Sequence, residues 1–143
     1  MGDERITLQE LKERMARFVR ERDWEQFHTP KNLSMSIAIE AAELMEHFQW
    51  LTVEQSRNLA PEALGEIGEE LADIVIYSLS MANALKLDLA DTVQAKMEKN
   101  IRKYPSERVR GKAHKYTYYQ NSAVRSQESG EDPKGSQLLD SDS

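Results

Sequence analysis

The chain has 143 residues, with 19 lysine and arginine residues against 25 aspartate and glutamate residues, a formal net charge of −6 and no cysteine. This length predicts a single domain, and the lack of cysteine excludes disulfides and thiolate metal sites, so that any metal would need oxygen or imidazole ligands. The acidic balance argues against a nucleic-acid polymer as partner, and the absence of a long apolar run or signal peptide predicts a cytoplasmic protein that has no membrane partner.

Helical spacing of the apolar residues begins close to the N-terminus. Thr7 and Glu10 have the spacing of a capping box, which predicts the start of a first helix that reaches about Asp23. A short link then leads to a second helix over about residues 31–50. The apolar residues of this second helix fall on one stripe that begins with Leu33, as expected for a helix that packs on one side.

The sequence between Thr52 and Pro105 predicts two further long helices. Thr52 begins another sequence with capping-box spacing, which indicates one helical turn. A third long helix starts at Pro61 and runs to about residue 85, and a fourth is capped by Asp88 and ends before Pro105. No segment alternates apolar and polar residues as a strand does, so the expected fold is all-α.

The last part of the chain differs in composition from this body. Residues 119–143 are rich in serine and acidic residues and poor in apolar ones, which predicts a disordered tail. We therefore expect an all-α four-helix bundle at residues 1–118 and a tail at residues 119–143. Between Lys99 and Lys115, seven basic residues accompany a single acidic one, so positive charge is concentrated late in the body.

Two pairs of acidic residues interrupt the apolar stripes of the second and third long helices. Glu40 and Glu43 are three residues apart and share a helix face, and Glu70 with Asp73 repeats this spacing. Acidic pairs on helices are usually solvated, but two pairs inside apolar stripes would bring four carboxylates together, which requires cations. Oxygen ligands favour Mg²⁺, with Mn²⁺ as the alternative. His47, one turn after Glu43, lies either beside these ligands or on the surface.

Several runs of the sequence resemble a known family. The runs EAAELMEHFQW from Glu40, EELADIVIY from Glu69 and KMEKNIRKYP from Lys96 resemble the all-α nucleoside triphosphate pyrophosphohydrolases of the MazG type. The run ERDWEQFHTPKNL from Glu21 narrows the resemblance to the dCTP pyrophosphatase branch, over about residues 7–118. The resemblance implies an enzyme of nucleotide pool sanitation. With Mg²⁺ it would hydrolyse the α–β phosphate bond of a deoxynucleoside triphosphate, expected to be dCTP or modified dCTP, to the monophosphate and pyrophosphate.

The resemblance also implies roles for single residues. The metal ligands would be Glu40, Glu43, Glu70 and Asp73, and Glu43 or Glu40 would accept the proton of the attacking water. The substrate would be held by Trp24, His28, Trp50, Tyr77, Lys96, Asn100, Arg102 and Tyr104. Members from animals carry a histidine at the position of Met15, which leaves strict selectivity for dCTP open. The family also implies a homodimer or homotetramer.

Two other classes of protein fit part of this pattern. A ferritin-like di-iron bundle needs Glu-x-x-His on two helices, and here only Glu25 and His28 have that spacing, at a helix end beside Pro30. A non-enzymatic helical oligomerisation or interaction module would explain the amphipathic helices but not the carboxylates within the apolar stripes. Turnover of a deoxynucleoside triphosphate with Mg²⁺ would separate the enzyme from both alternatives.

Overall fold

The computed structural model describes residues 1–113, which are helical apart from short turns and caps. The helices are α1 (Leu8–Glu21), α2 (Pro30–Glu46), α3 (Val53–Arg57), α4 (Pro61–Ala84), α5 (Leu89–Lys103) and α6 (Ser106–Val109). No strand forms in this part of the chain, so the all-α prediction is confirmed there. No described helix is long and apolar enough to cross a membrane. The predicted tail at residues 119–143 and the end of the predicted domain lie outside the described residues.

The starts of the helices follow from local side-chain caps. At α1, the Glu10 backbone N–H donates to the Thr7 hydroxyl at 3.2 Å, and the Thr7 backbone N–H donates to the Glu10 carboxylate at 2.7 Å. Thr52 forms a second capping box at the start of α3. Pro30 and Pro61 occupy the first turns of α2 and α4, where a missing N–H leaves no helical hydrogen bond unmade. The capping boxes predicted from spacing are therefore both confirmed.

The second helix is shorter than its predicted range. It ends at Glu46, where the Phe48 N–H donates to the Met45 carbonyl at 3.0 Å and the last turn tightens. Thr52 has an extended backbone (φ −71°, ψ 163°), as the cap of α3 requires. Trp50 therefore lies in the turn between α2 and α3 and not at the end of a helix.

Two turns use left-handed backbone at residues other than glycine. Asp23 has a φ of 53° and follows the end of α1. At the end of α4, the Leu87 N–H donates to the Ala82 carbonyl at 2.9 Å, and Lys86 between them has a φ of 54°. This is the hydrogen bonding of a Schellman motif. Asp88 then caps α5 through its carboxylate, as predicted.

The chain divides into two compact units, Met1–Gln94 and Ala95–Ser143. In the first unit, α4 packs against both α1 and α2. Few side chains are fully buried among the described residues. The buried apolar ones are Val19, Leu33, Leu79 and Ala82. In the second unit, residues 95–113 form the larger part of α5 and all of α6, and none of their side chains is fully buried.

Candidate functional site

Carboxylates from α2 and α4 converge in the first unit. One oxygen from each of Glu40, Glu43 and Glu70 lies within 4.8 Å of the others. They meet because α2 packs along α4, and because the spacing within each helix directs acidic residues to the packed side. Glu40 and Glu70 are half-buried, whereas Glu43 is exposed. The structure thus groups three of the four residues that the sequence suggested as metal ligands.

The acidic group affects the titration of Glu40. Burial raises the pKa of Glu40 above its usual value, and the charges of Glu43, Asp73 and Glu70 raise this pKa further. Asp73 is half-buried on α4 and lies outside the group within 4.8 Å, yet its charge acts on Glu40. A cation would relieve this repulsion, and an all-oxygen donor set suits Mg²⁺ or Mn²⁺.

His47 lies beside the acidic group. Its Nδ1 is 3.9 Å from a carboxylate oxygen of Glu66, and its Nε2 is 4.0 Å from a carboxylate oxygen of Glu70. The His47 side chain is about one quarter exposed. The sequence left open whether His47 lies beside the metal ligands or on the surface. The structure favours the position next to the acids.

A cavity of about 330 Å³ lies between α1, α4 and the link that joins α1 to α2. It is lined by Met15, Ala16, Val19, Glu25, His28, Ser80, Asn83 and Ala84, all of which belong to the first unit. Two buried polar atoms of this lining, Nδ1 of His28 and Oγ of Ser80, have no hydrogen-bond partner among the described residues. The cavity therefore offers hydrogen-bonding groups that the fold itself does not use.

Aromatic rings stand beside this cavity. The Trp24 and His28 rings meet edge to face with centroids 6.2 Å apart, and Trp24 meets Phe18 in the same way at 5.8 Å. The Arg22 guanidinium lies 3.7 Å from the centre of the Phe18 ring, a cation–π distance. Trp24 and His28 are thus brought together, with His28 in the cavity wall.

The structure places the remaining residues suggested by the sequence on several elements. Trp50 is 86% exposed in the turn after α2. Tyr77 is half-buried on α4, one turn after Asp73. The others belong to the second unit, where all are exposed on α5 or just after it: Lys96, Asn100, Arg102 and Tyr104. Arg102 lies 4.0 Å from Glu98 on the same helix.

The sequence reasoning missed the polar residues that line the cavity on α4. Ser80 and Asn83 interrupt the apolar stretch of this helix three residues apart, and they follow Tyr77 at helical spacing. This is the same signal that located the acidic pairs, and it could have located these residues as well.

Comparison with known proteins identifies the family. Residues 35–118, more than half of the chain, match the model of the MazG-like family. The chain belongs to the MazG-like family. The matched residues include α4 and most of α2, and therefore all four acids of the predicted metal site.

Relatives of this MazG-like chain carry a more specific name. It is 42% identical over 113 residues to dCTP pyrophosphatase 1 of Bos taurus, a match that covers 78% of this chain and 67% of the relative. It is 38% identical over 120 residues to dCTP pyrophosphatase 1 of Homo sapiens, covering 82% and 71%. A pyrophosphatase of known structure from Archaeoglobus fulgidus is 41% identical with a TM-score of 0.65, covering 68% of this chain and 92% of that one. The resemblance read from the sequence is confirmed.

Proposed function

We propose that this MazG-like protein is a Mg²⁺-dependent pyrophosphohydrolase that cleaves the α–β phosphate bond of a deoxynucleoside triphosphate. Water is consumed, and the monophosphate and pyrophosphate are released. The proposal is carried by the grouped carboxylates of Glu40, Glu43 and Glu70, in a chain whose relatives include dCTP pyrophosphatases. The preferred substrates are dCTP and modified dCTP. The biological role is sanitation of the nucleotide pool in the cytoplasm, with neither a nucleic-acid polymer nor a membrane as partner.

The metal would be held by four carboxylates: Glu40, Glu43, Glu70 and Asp73. A bound divalent ion supplies charge neutralisation at the phosphates and lowers the barrier to attack by water. The acids supply only oxygen atoms. Burial and the charges of the neighbouring acids raise the pKa of Glu40, and both effects favour a cation among these carboxylates.

Glu43 or Glu40 accepts the proton of the attacking water. Glu40 has the raised pKa, which makes it a stronger base than an ordinary carboxylate. Glu43 is exposed, so a proton that it accepts passes readily to solvent. The two residues are neighbours on one face of α2, and a proton taken by either one can leave through Glu43.

The substrate roles rest on the resemblance to the family. Trp24, Trp50 and His28 are assigned to the base, and the cavity beside His28 provides room for it. Sugar and phosphates are assigned to Tyr77, Lys96, Asn100, Arg102 and Tyr104. These assignments remain predictions, each of which a single substitution can test.

The activity is tested with the purified full chain and a panel of all deoxynucleoside triphosphates, with 5-methyl-dCTP included. We expect dCTP to be hydrolysed with Mg²⁺, pyrophosphate and dCMP to form in equal amounts, and EDTA to stop the reaction. Release of inorganic phosphate with dCDP would place the cleavage at a different bond. If none of the triphosphates is turned over with Mg²⁺, the proposed enzymatic activity is refuted.

The assignment of the carboxylates is tested by Glu43→Gln and Asp73→Asn. Each change removes one negative charge at nearly constant shape, so turnover should be lost while the circular dichroism spectrum stays helical. The matched control is Glu69→Gln, which changes an exposed neighbour of Glu70 outside the acidic group and should leave the rate unchanged. Near-normal rates in both test variants would contradict the metal site.

We also infer that the protein works as a homodimer or homotetramer. Large apolar residues remain exposed on α2 and α4, beyond those that pack within the first unit. On α2 they are Met35, Ile39 and Met45, between 50% and 57% exposed. On α4 they are Leu64, Leu71 and Val75, between 42% and 55% exposed. Exposed apolar stripes of this extent are typical of surfaces that bind another protein, and a second copy of the chain carries the same stripes.

The alternative functions have less support. Glu25 and His28, the pair with di-iron spacing, lie in the link between α1 and α2 and line the cavity instead of joining the acids. An interaction module would need neither the acidic group nor the likeness to pyrophosphatases.

A further inference from the structure

We propose that Ser80 and Asn83 select the base of the substrate, favouring a pyrimidine with an amino group over one with a carbonyl at the same position. The inference rests on the proposed function and concerns the cavity of about 330 Å³ between α1, α4 and the link. Neither residue belongs to the set that the family resemblance suggested.

Ser80 is a buried hydroxyl that the fold does not use. Its side chain lines the cavity, the residue is only 6% exposed, and Oγ has no hydrogen-bond partner among the described residues. Ser78 on the same helix behaves differently, because its hydroxyl donates to the Ile74 carbonyl at 2.7 Å. A buried hydroxyl without a partner destabilises a fold, whereas a ligand that bonds to it recovers the lost interaction.

Asn83 presents a hydrogen-bond acceptor. Its side-chain Nδ2 donates to the backbone carbonyl of Lys12 at 2.9 Å. A carbonyl can only accept, so the amide nitrogen must face Lys12, and Oδ1 is left as an acceptor that this hydrogen bond does not use. The carboxylate of Glu25, which also lines the cavity, is a second acceptor.

The lining has an apolar side and a polar side. Met15, Ala16 and Val19 contribute apolar surface from α1, while Ser80 and Asn83 lie three residues apart on one face of α4. A planar base fits such a site, with its rings against the apolar side and its polar edge towards α4. The polar edge of the base then meets acceptors at Asn83 and Glu25 and a hydroxyl at Ser80.

This set of groups distinguishes cytosine from thymine. Cytosine carries a 4-amino group, which donates to an acceptor such as Asn83 Oδ1, and an N3 atom, which accepts from the Ser80 hydroxyl. Thymine carries a 4-carbonyl group, which would face the acceptors without a proton between them. This repulsion keeps thymine N3–H from reaching the Ser80 hydroxyl, which could otherwise accept from it. Sites built to bond a donor of the correct substrate discriminate strongly against an analogue that lacks it, because buried polar groups are then left unpaired.

The test is Ser80→Ala, with Ser78→Ala as the matched control. We expect kcat/KM for dCTP to fall about 5- to 10-fold in the Ser80 variant, the loss of one hydrogen bond, while the value for dTTP changes by less than about twofold. In the Ser78 variant, the ratio of kcat/KM for dCTP to kcat/KM for dTTP should equal that of the wild type. An unchanged ratio in the Ser80 variant, or an equal fall for both nucleotides, would overturn the inference.

Thermal unfolding separates this role from a structural one. Because Ser80 Oγ has no partner in the fold, Ser80→Ala should leave the Tm of the ligand-free protein unchanged or raise it. Ser78→Ala removes a hydrogen bond within α4 and should lower the Tm slightly. A clear fall of the Tm in the Ser80 variant would show that the hydroxyl serves the fold, and the inference would fail.

Binding of the nucleosides tests the cavity without hydrolysis. Titration of the full chain with 2′-deoxycytidine and with thymidine, followed by tryptophan fluorescence, should show a preference for deoxycytidine that Ser80→Ala removes. If the wild type binds deoxycytidine preferentially but hydrolyses no triphosphate, the proposed function fails and the inference stands. If the wild type hydrolyses dCTP but Ser80→Ala keeps the preference, the inference fails and the proposed function stands.

Discussion

Glu40 lies where α2 packs on α4, half-buried and within reach of the charges of Glu43, Asp73 and Glu70. Burial and these charges hold its pKa above the usual value of 4.5. Because the folded protein holds the proton of this carboxyl more tightly than the unfolded chain does, protonation favours the folded state. This stabilisation is fully present below the pKa of the unfolded chain and is lost as the pH rises through the raised pKa of the folded protein. At neutral pH the ionised Glu40 therefore destabilises the protein in the absence of a metal.

We predict that Glu40→Gln raises the Tm of the metal-free protein at pH 7. The variant has the same shape without the half-buried charge, so the repulsion among the acids is relieved. The gain should shrink as the pH is lowered and disappear once Glu40 is protonated in both the folded and the unfolded states. Thermal unfolding followed by circular dichroism in EDTA, between pH 3 and pH 8, measures both effects.

The control for this experiment is Glu69→Gln, which removes a charge from the same helix as Glu70 but outside the acidic group. Its Tm should follow that of the wild type across the range. A Glu40→Gln protein less stable than the wild type at pH 7 would mean that the carboxylate makes favourable contacts that outweigh the repulsion.

Single residues were predictable where spacing alone decides their position. Acids three residues apart share a helix face whatever packs against them, so Glu40 and Glu43 could be paired from the sequence. Spacing also puts Ser80 and Asn83 on one face of α4, but whether that face borders a cavity depends on which elements enclose it, here α1 and the link. Spacing gives the face of a helix, whereas the neighbour of that face is a property of the tertiary structure.

The start of α1 depends on the reciprocal bonds between Thr7 and Glu10. The backbone N–H and the hydroxyl of Thr7 both donate to the Glu10 carboxylate, at 2.7 and 2.9 Å, and they lower the pKa of Glu10. Because this carboxyl is more acidic in the folded protein than in the unfolded chain, its ionised form favours the folded state. This stabilisation is present above the usual pKa of the unfolded chain and is lost as the pH falls through the lowered pKa of the folded protein. The capping box therefore stabilises the start of α1 least at acidic pH.

We predict that Glu10→Gln lowers the Tm at neutral pH and that the difference from the wild type vanishes as the pH falls below the lowered pKa of Glu10. The loss should be partial, since glutamine can still accept from the cap: Gln55 does so at α3, where the Thr52 N–H donates to its side chain at 2.8 Å. Unfolding curves from pH 3 to pH 7 give the comparison. Glu13→Gln on the same helix, outside the capping box, serves as control, and an equal pH-dependent loss there would contradict the role of the cap.

Whole helices were predicted better at their starts than at their ends. Caps and prolines mark the starts, and all four long helices begin at or within one residue of the predicted signals. The ends depend on the segment that follows. The second helix ends at Glu46, where the chain turns towards the extended Thr52 that caps α3, and α6 after Pro105 is too short to leave a periodic pattern.

The first unit buries few apolar side chains for its size, and two of its helices expose apolar stripes. The stripe on α4 contains Leu64, Leu71 and Val75. Helical spacing predicts the side of a helix that is apolar, but α2 and α4 each have apolar residues on more than one side. Which of these sides packs within the chain and which stays exposed could be decided only from the structure.

We predict that Leu71→Glu weakens or abolishes self-association. A charge in the middle of the α4 stripe would be buried against the second copy, which is strongly unfavourable. Gel filtration with light scattering should show the wild type as a dimer or tetramer and the variant shifted towards the monomer. Val53→Glu, an equally large change at a 70% exposed residue of α3, should leave the assembly intact. A monomeric wild type would contradict the proposed assembly.

The hydrogen bond from Asn83 to the Lys12 carbonyl joins the end of α4 to α1. It also fixes the rotamer of Asn83 and the direction of its amide before any ligand arrives. Ordering a free side chain at a binding site costs about 0.5–1.5 kcal/mol of lost rotamer entropy. Here that entropy is already lost during folding, so the Asn83 side chain is preorganised for binding. We therefore expect a ligand to bind in the cavity without a slow rearrangement of α1.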